Sequence, residues 1–234
     1  MARLARLAIA NHAHLVLLRG HNGKAVFQDD VDRACFLSAL RDACTLERVA
    51  LHAYALLPDQ VWLLCTPSSG HALGRTMQSL GRRFSAAFNR RHRRSGSLWD
   101  GRYRATVLES GPRTLEAMIF VDQAPVRNKV IASAPDVAWS SARQHMGSES
   151  GHPLTDLAEY WALGNTPFDR AAAYRLLLEE PQDTVLAARL AAAVQRGWPV
   201  GSHGFLAGLA ERSSRRVAPR PRGRPRKPPA PPQA

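Results

Sequence analysis

The spacing of apolar residues predicts a series of short strands in the first half of the chain. Leu15–Leu18 is an uninterrupted apolar run, and two further segments at 49–57 and 60–66 are separated only by a Pro-Asp turn at 58–59. Short apolar runs bounded by turn residues are typical of buried strands, and so short a connection predicts a hairpin. A further strand is predicted at 103–108.

Apolar residues that recur at three- or four-residue steps predict helices between these strands. Asp29 and Asp30 can cap a helix with the apolar positions Val31, Ala34, Leu37 and Leu40. The helix predicted over 71–92 has the most regular pattern, with an apolar face formed by Leu73, Met77, Leu80, Phe84 and Phe88. A short helix is predicted at 113–121. Helices and strands that alternate around antiparallel pairing indicate an α+β fold.

The second half of the chain has a different character. Helices are predicted at 167–179, after a Thr-Pro start, and at 183–196, where Gly197 ends the apolar pattern. Near the end of the chain Pro and Arg dominate, so this segment cannot form an apolar core and is expected to be disordered. We therefore predict a domain at 1–146, a helical extension at 147–212 and a disordered basic tail at 213–234.

The positive charge of the chain is concentrated in two segments. The 234 residues carry a formal net charge of +13, and 45% of them are hydrophobic, which is enough for a core. Residues 75–104 contain nine Arg and one Asp, a net charge of +8, and residues 205–234 contain eight Lys or Arg and one Glu, a net charge of +7. Because cations that neutralise phosphates release condensed counterions, this distribution favours a nucleic-acid partner over a merely solvated surface.

The composition argues against several other classes of protein. Cys35, Cys44 and Cys65 are odd in number and form no C-x-x-C pair, as expected in a reducing cytosol. No apolar run approaches the roughly 18 residues that a membrane-spanning helix needs. Asn11 and His12 interrupt the apolar N-terminus early, so no signal peptide is expected. These features favour a cytoplasmic, nucleoid-associated protein with no membrane partner.

Five segments of the chain together resemble the single-tyrosine transposases. They are the hairpin Leu51–Pro67, the Arg-rich helix at 80–92, the loop and strand at 95–104, the Pro-Val-Arg sequence at 125–127 and the Trp-Ser-Ser sequence at 139–141. In combination they are similar to the REP-associated branch of these HUH-type transposases. The resemblance covers most of the chain, and it implies an antiparallel, RRM-like sheet flanked by helices.

The same resemblance implies that the residues needed for the family's chemistry are replaced in this chain. Family members cut single-stranded DNA with a tyrosine, and two histidines and an amide hold Mg or Mn. The histidine positions are Gln60 and Trp62 here, the tyrosine position is Phe120 and the amide position is Ala124. A phenyl ring has no nucleophilic oxygen, and an indole N–H has no lone pair for a metal. We therefore expect no metal cofactor and no strand cleavage.

Other residues are weaker candidates for the missing chemistry. His12 and His14 are spaced to share a strand face, and two imidazoles can bind zinc, but the chain supplies no obvious third ligand. Asp59 and Asp122 are carboxylates near the replaced positions in the sequence, and Tyr103 is a spare nucleophile. Structural roles in the core, in a strand or in a turn are the favoured interpretation of all five.

The first basic segment and two aromatic residues are the predicted DNA contacts. Arginines bind phosphates in a bidentate manner, and aromatic rings can stack on unpaired bases. The dipole at the end of the Arg-rich helix explains some of these cations structurally, though not nine. The predicted contacts are Arg82, Arg83, Arg90, Arg91, Arg93, Arg94, Trp99, Arg102, Tyr103, Arg104 and Arg127.

The basic tail contains a sequence at 221–228 that resembles an AT-hook. An extended Arg-Gly-Arg-Pro sequence is thin enough to enter the narrow minor groove of A/T-rich DNA, where the negative potential is enhanced. The cations of this motif are Arg222, Arg224, Arg226 and Lys227. A disordered polycation without groove preference is the alternative.

These inferences favour a transposase-family pseudoenzyme of mobile-element origin. It would recognise hairpin or single-stranded repeat DNA without cleaving it. One alternative is an active transposase that nicks DNA and transfers strands with noncanonical residues. A weaker alternative is an RNA-binding protein, since RRM-like sheets with aromatic and Arg-rich surfaces suit RNA. The DNA target and the oligomeric state, monomer or dimer, stay open.

Overall fold

Four strands form an antiparallel sheet in the part of the chain that the computed structural model describes, which is residues 6–130, 138–148, 154–181, 183–213 and 215–219. The strands are β1 (His14–Arg19), β2 (Val49–Leu56), β3 (Gln60–Pro67) and β4 (Arg104–Val107). Their order in the sheet is β2-β3-β1-β4. β1 and β3 are therefore central strands, and β2 and β4 form the edges.

The register of the central strands decides which side chains share a face. Trp62 of β3 lies opposite Leu17 of β1. Because successive side chains of a strand point to opposite faces, Trp62 and Leu17 face one side while Val61 and Leu18 face the other. The predicted hairpin between β2 and β3 is present, and its turn is closed by a hydrogen bond from the Leu57 N–H to the Gln60 carbonyl oxygen at 2.9 Å.

Two long helices cover one face of the sheet. α1 (Asp30–Glu47) begins after Asp29, whose side chain accepts a hydrogen bond from the Asp32 N–H at 3.0 Å, as expected of an N-cap. α2 (Ala72–Arg91) buries all five apolar residues predicted from their spacing. The ring of Phe36 on α1 meets that of Phe84 on α2 edge to face, with centroids 5.1 Å apart. Aromatic packing therefore joins the two helices.

The apolar face predicted for α1 is only partly right. Leu37 and Leu40 are buried, but Val31 and Ala34 are exposed. The large ring of Phe36 fills the space against α2, and this contact turns the buried side of the helix away from the two smaller residues. The spacing alone could not rank Phe36 above them.

Shorter helices and the helical extension cover the opposite face. α3 (Pro112–Asp122) and α4 (Ala124–Arg127) are followed by α5 (Ala142–His145), α6 (Ala158–Trp161), α7 (Pro167–Glu179), α8 (Thr184–Arg196) and α9 (His203–Arg212). The ends of α3, α7 and α8 fall within one residue of the predicted ends. The sequence pattern did not predict α4, α5, α6 or α9, because four-residue helices show no periodicity and α9 contains two glycines. No helix in the described ranges is long and apolar enough to cross a bilayer.

The extension shares its core with the sheet. Leu17 of β1 lies in one cluster of buried side chains with Leu190 of α8. The segment that follows α8 also pairs with the end of β4, because Val200 donates its N–H to the Val107 carbonyl oxygen and accepts from the Glu109 N–H, both at 2.9 Å. The predicted extension at 147–212 is therefore packed on the first part of the chain.

A buried carboxylate connects the helices on this face. Asp122 at the end of α3 is fully buried and accepts hydrogen bonds from the Tyr174 hydroxyl of α7, at 2.7 Å, and from the Ser141 hydroxyl. The Nδ1 atom of His145 in α5 lies 2.7 Å from the same carboxylate. An unpaired buried carboxylate is costly, so these partners fix α3, α5 and α7 relative to one another.

The Asp122 cluster generates a stability prediction. Tyr174→Phe removes a donor to the buried carboxylate, and we expect the free energy of unfolding to fall by about 1.5–3 kcal/mol, the range for hydrogen bonds to charged groups. The matched control is Tyr160→Phe, which removes a donor to the neutral His145 carbonyl oxygen 2.7 Å away. That change should cost only about 0.5–1.5 kcal/mol. Urea denaturation measures both decreases, and equal decreases would contradict the role assigned to Asp122.

Candidate functional site

The four positions that the family resemblance assigns to catalysis lie together on the α3 side of the sheet. The rings of Trp62 and Phe120 pack edge to face, with centroids 5.0 Å apart. Gln60 lies two residues before Trp62 on the same strand face and donates its Nε2–H to the Asn128 side-chain oxygen at 2.8 Å. Asn128 in turn donates its Nδ2–H to the Ala124 carbonyl oxygen at 2.7 Å. Helices α3 and α4 thus bring all four positions to one end of β3.

Arg127 places a positive charge in this cluster. Its guanidinium lies 3.7 Å above the Phe120 ring centroid and 5.8 Å from that of Trp62, and it donates a hydrogen bond to the Phe120 carbonyl oxygen at 2.8 Å. Burial lowers the pKa of Arg127 to about 10. Within the described residues its Nη2 atom is buried without a hydrogen-bond partner. The predicted DNA contact at Arg127 is therefore a partly buried cation that packs on aromatic rings.

The side chains of this cluster do not fit a divalent metal. The Trp62 indole offers only an N–H donor, and that atom is buried without an acceptor among the described residues. The Gln60 Oε1 atom is also buried without a partner there, but a single neutral oxygen is a poor site for Mg²⁺. The nearby guanidinium would repel a second cation. In the described ranges no group of three or more His, Cys, Asp or Glu residues could hold a metal ion.

The nucleophile position is occupied by a packed ring. Phe120 is 2% exposed and lines a cavity of about 190 Å³ together with Leu186 and Leu190 of α8. The spare candidate, Tyr103, packs on the cluster of buried residues on the opposite face of the sheet. Its ring is covered by the Arg6 guanidinium at 4.0 Å, and burial raises the pKa of its hydroxyl, which disfavours the phenolate. Tyr103 therefore lies apart from the Phe120 cluster.

Two buried histidines, the candidate ligand His14 and His52 of β2, have structural partners on both ring nitrogens. His14 donates from Nδ1 to the His12 carbonyl oxygen at 2.7 Å and accepts the Ile9 N–H at Nε2 at 3.2 Å. Burial lowers the pKa of His14 to about 4, which keeps it neutral. His52 bonds the Thr155 carbonyl oxygen at 2.6 Å and the Thr66 hydroxyl at 2.8 Å. The interpretation of these side chains as core histidines agrees with these contacts.

Three of the arginines on α2 form ion pairs along its seam with α1. Arg75 lies 2.6 Å from Glu47, Arg83 lies 2.9 Å from Asp42, and Arg91 lies 2.6 Å from both Asp29 and Asp32. The order of the partners is reversed along α1, as expected for antiparallel helices. The carboxylates neutralise Arg83 and Arg91, both of which were predicted to contact DNA.

A second group of arginines carries charge that no carboxylate neutralises. Arg82, Arg90, Arg93 and Arg102 are exposed, and none of them forms an ion pair within the described part of the chain. Two further predicted DNA-binding residues have partial partners. Arg94 donates to the Ser97 carbonyl oxygen at 3.1 Å, and Arg104 lies 3.7 Å from Asp100.

One predicted base-stacking residue is in the core. Trp99 is 8% exposed, and its ring packs 6.2 Å from Phe36 and 6.0 Å from Phe84, measured between centroids. Both flanking aromatic rings hold Trp99 against α1 and α2, so its contacts are those of a core residue, and its stacking on a base stays a prediction. The AT-hook residues Arg222, Arg224, Arg226 and Lys227 lie outside the described residues.

Several residues of the two regions were not found from the sequence. Asn128 joins Gln60 to Ala124, and its position directly after Arg127 was the only signal for it. Arg6, Arg196 and Arg215 line the basic surface next to Arg102. They are far from the Arg-rich segment in the sequence. Arg6 reaches this surface through its hydrogen bonds to the Tyr103 carbonyl oxygen, and the packing of α8 and the following segment on β4 brings Arg196 and Arg215 there.

Comparison with solved structures finds the same fold. The structure of a REP-associated tyrosine transposase bound to a REP hairpin matches with a TM-score of 0.55 and 12% sequence identity, over 68% of this chain and 96% of that chain. A candidate transposase from Deinococcus radiodurans R1 matches with a TM-score of 0.36 and 21% identity, over 56% and 95%, a similarity too low to support an argument. The sequence matches no protein-family model and no curated protein. The predicted α+β transposase fold is confirmed by the first match.

The ion pairs between α1 and α2 should make the stability of the fold depend on pH. The hydrogen bond from Arg91, with a further one from the Asp32 N–H, lowers the pKa of Asp29 to about 2. Because the pKa is lower in the folded state, this stabilisation is complete above about pH 4 and is lost as the pH falls toward about 2. We therefore expect Arg91→Gln to lower the urea midpoint at neutral pH and to flatten its fall in this acid range.

Arg90→Gln is the matched control for this experiment, since it removes the same charge from the neighbouring, exposed and unpaired position. The control should leave the urea midpoint and its acid dependence as in the wild type. Identical behaviour of the two variants would show that the ion pairs of Arg91 with Asp29 and Asp32 do not stabilise the fold.

Proposed function

We propose that this chain is a transposase-family protein that binds hairpin or single-stranded repeat DNA and does not cleave it. The observation that carries the proposal is a contrast between two regions. The positions assigned to catalysis meet in a buried cluster of aromatic rings, amides and one guanidinium, around Phe120 and Trp62. The end of α2 and the loop after it instead present exposed cations, at Arg90, Arg93 and Arg102.

The absence of cleavage follows from the requirements of phosphodiester chemistry. Transesterification needs a nucleophilic oxygen and a group that polarises a phosphate oxygen. Phe120 has no oxygen, and its ring is enclosed by the sheet and α8. A guanidinium at Arg127 can bind a phosphate, but it cannot replace the missing attacking oxygen.

DNA binding is supported by the type of charge and by the related fold. One guanidinium group can donate two hydrogen bonds to the oxygens of a phosphate, and each phosphate that is neutralised releases counterions. A solved protein with this fold is bound to a REP hairpin. We extend that partner class to this chain because four exposed arginines without an ion pair among the described residues lie in one segment, between Arg82 and Arg102.

A combined binding and cleavage assay tests the proposal. The full chain is mixed with a fluorescent DNA hairpin that has single-stranded flanks, in the presence of Mg²⁺ or Mn²⁺. We expect retention of the hairpin without nicking and without a covalent protein–DNA adduct on denaturing gels. An adduct at any residue would support the alternative of an active transposase. Tighter binding of an RNA hairpin of the same sequence would favour an RNA partner instead.

A salt titration tests which arginines touch phosphate. The double variant Arg90→Gln, Arg93→Gln should bind the hairpin more weakly and should reduce the slope of log K against log salt by roughly 0.7–0.9 for each phosphate that is no longer neutralised. The matched control is Arg75→Gln, Arg83→Gln on the same helix, where α1 carboxylates already neutralise both charges. This control should keep the wild-type slope. Equal slopes in both double variants would mean that the DNA phosphates are bound elsewhere on the protein.

A further inference from the structure

Two adjoining cavities lie at the open end of the edge strand β4. One, of about 420 Å³, lies on the α2 side of the strand and is lined by residues that include Met77, Arg82 and Gly101. The other, of about 340 Å³, lies on the α8 side and is lined by Gln195 and Arg196 among others. Both cavities include Arg6, Arg102 and Tyr103 in their walls. They therefore form one groove that passes around the strand, which we call the β4 groove.

The groove exists because only half of the β4 edge is covered. Val107 and Glu109 at the far end of the strand bond with Val200 of the segment after α8. The Thr106 hydroxyl donates to the Trp198 carbonyl oxygen of the same segment. At the near end, from Arg102 to Ala105, the helices on the two faces leave space beside the strand.

Every charged side chain that lines the two cavities of the groove is an arginine. Among the described residues that line its two cavities none is acidic. Backbone carbonyl oxygens hold two of the cations in place: Arg6 donates to the Tyr103 carbonyl at 2.9 and 3.0 Å, and Arg215 donates to the Gly197 carbonyl. Guanidinium groups fixed in this way lose little rotamer freedom when an anion binds nearby.

Four further arginines line the groove: Arg104, which lies 3.7 Å from the Asp100 carboxylate, and three others. Arg82 extends from α2, Arg102 precedes β4, and Arg196 ends α8. All three are exposed, and no ion pair involves them within the described ranges. Their charges come from three separate elements and follow one another along the two adjoining cavities, which favours an occupant that carries several negative charges in a row.

We propose that the β4 groove binds the backbone of a single strand of DNA, with phosphates contacted by Arg82, Arg102 and Arg196. The proposal rests on the DNA-binding function above and adds a second binding region to it, in which the extension takes part through α8. A groove with cationic walls on two sides can follow the backbone of a single strand. Residues 220–234 of the basic tail are excluded as the occupant, because they include five Lys or Arg and no acidic residue.

The test compares exposed arginines on one helix. Binding of a fluorescein-labelled run of about 20 thymidines to the full chain is followed by anisotropy over a range of salt concentrations. Arg196→Ala should weaken binding about three- to tenfold and lower the salt slope by about 0.7, the value for one phosphate of single-stranded DNA. Arg189→Ala removes the same charge from the same helix, but Arg189 does not line the groove. It should leave both quantities unchanged.

Two further variants keep the test independent of folding. Arg102→Ala removes a second cation from the cavity that Arg196 lines. It should match Arg196→Ala in both affinity and salt slope. Arg196→Lys keeps the charge and should restore the salt slope of the wild type, which a purely structural role at this position would not require. Thermal melts of each variant confirm that the folded state is intact.

The outcomes separate this inference from the proposed function. If the wild type binds the thymidine run and Arg196→Ala behaves like Arg189→Ala, the groove is not the binding region, while the function stands. If the wild type binds neither this strand nor the hairpin, the function fails and the inference fails with it. Tighter binding of a uridine run of the same length, abolished in Arg196→Ala, would overturn the assignment to DNA.

Discussion

The coverage of the central sheet on both faces is the constraint on which the rest of the structure depends. β1 and β3 contact helices on each side, so almost every side chain they carry must be apolar or fully hydrogen-bonded. Trp62 meets this requirement only in part, because its ring is packed on Phe120 but its N–H remains without an acceptor among the described residues. The extension creates this condition on the Phe120 side, because α8 belongs to the same core as β1. The side chains of β3 on this face, Trp62 and Leu64, therefore belong to the core.

The arginines of α2 form two groups, one paired with carboxylates and one unpaired among the described residues, and the sequence does not distinguish them. The arginines at 75, 83 and 91 are paired with α1 carboxylates and stabilise the packing of the two helices. The arginines at 82 and 90 lie beside them in the sequence and are exposed. A count of nine arginines in this segment therefore overestimates the charge available to DNA. The structure identifies the usable charge by the positions of the acidic partners, which lie more than twenty residues away in the chain.

The elements with strong local signals could be predicted from the sequence, and those that depend on distant packing could not. The N-cap at Asp29, the apolar face of α2 and the ends of α7 follow from nearest-neighbour chemistry. The burial of Trp99 depends on rings contributed by α1 and α2, and the role of Asp122 depends on Tyr174, 52 residues further along the chain. The clustering of Gln60, Trp62 and Phe120 was anticipated only through the family resemblance.

The Phe120 cluster also explains why a single substitution cannot create a metal site there. A histidine at position 62 is smaller than tryptophan and would leave part of the indole's space empty. It would also lie beside the Arg127 guanidinium, which already carries a positive charge. Burial lowers the pKa of that guanidinium only to about 10, so it stays charged near neutral pH and disfavours a divalent ion. Arg127 is held by the Phe120 carbonyl oxygen, a backbone atom that no substitution removes. A metal site in this cluster would therefore require several ligands together and a carboxylate or phosphate that neutralises Arg127.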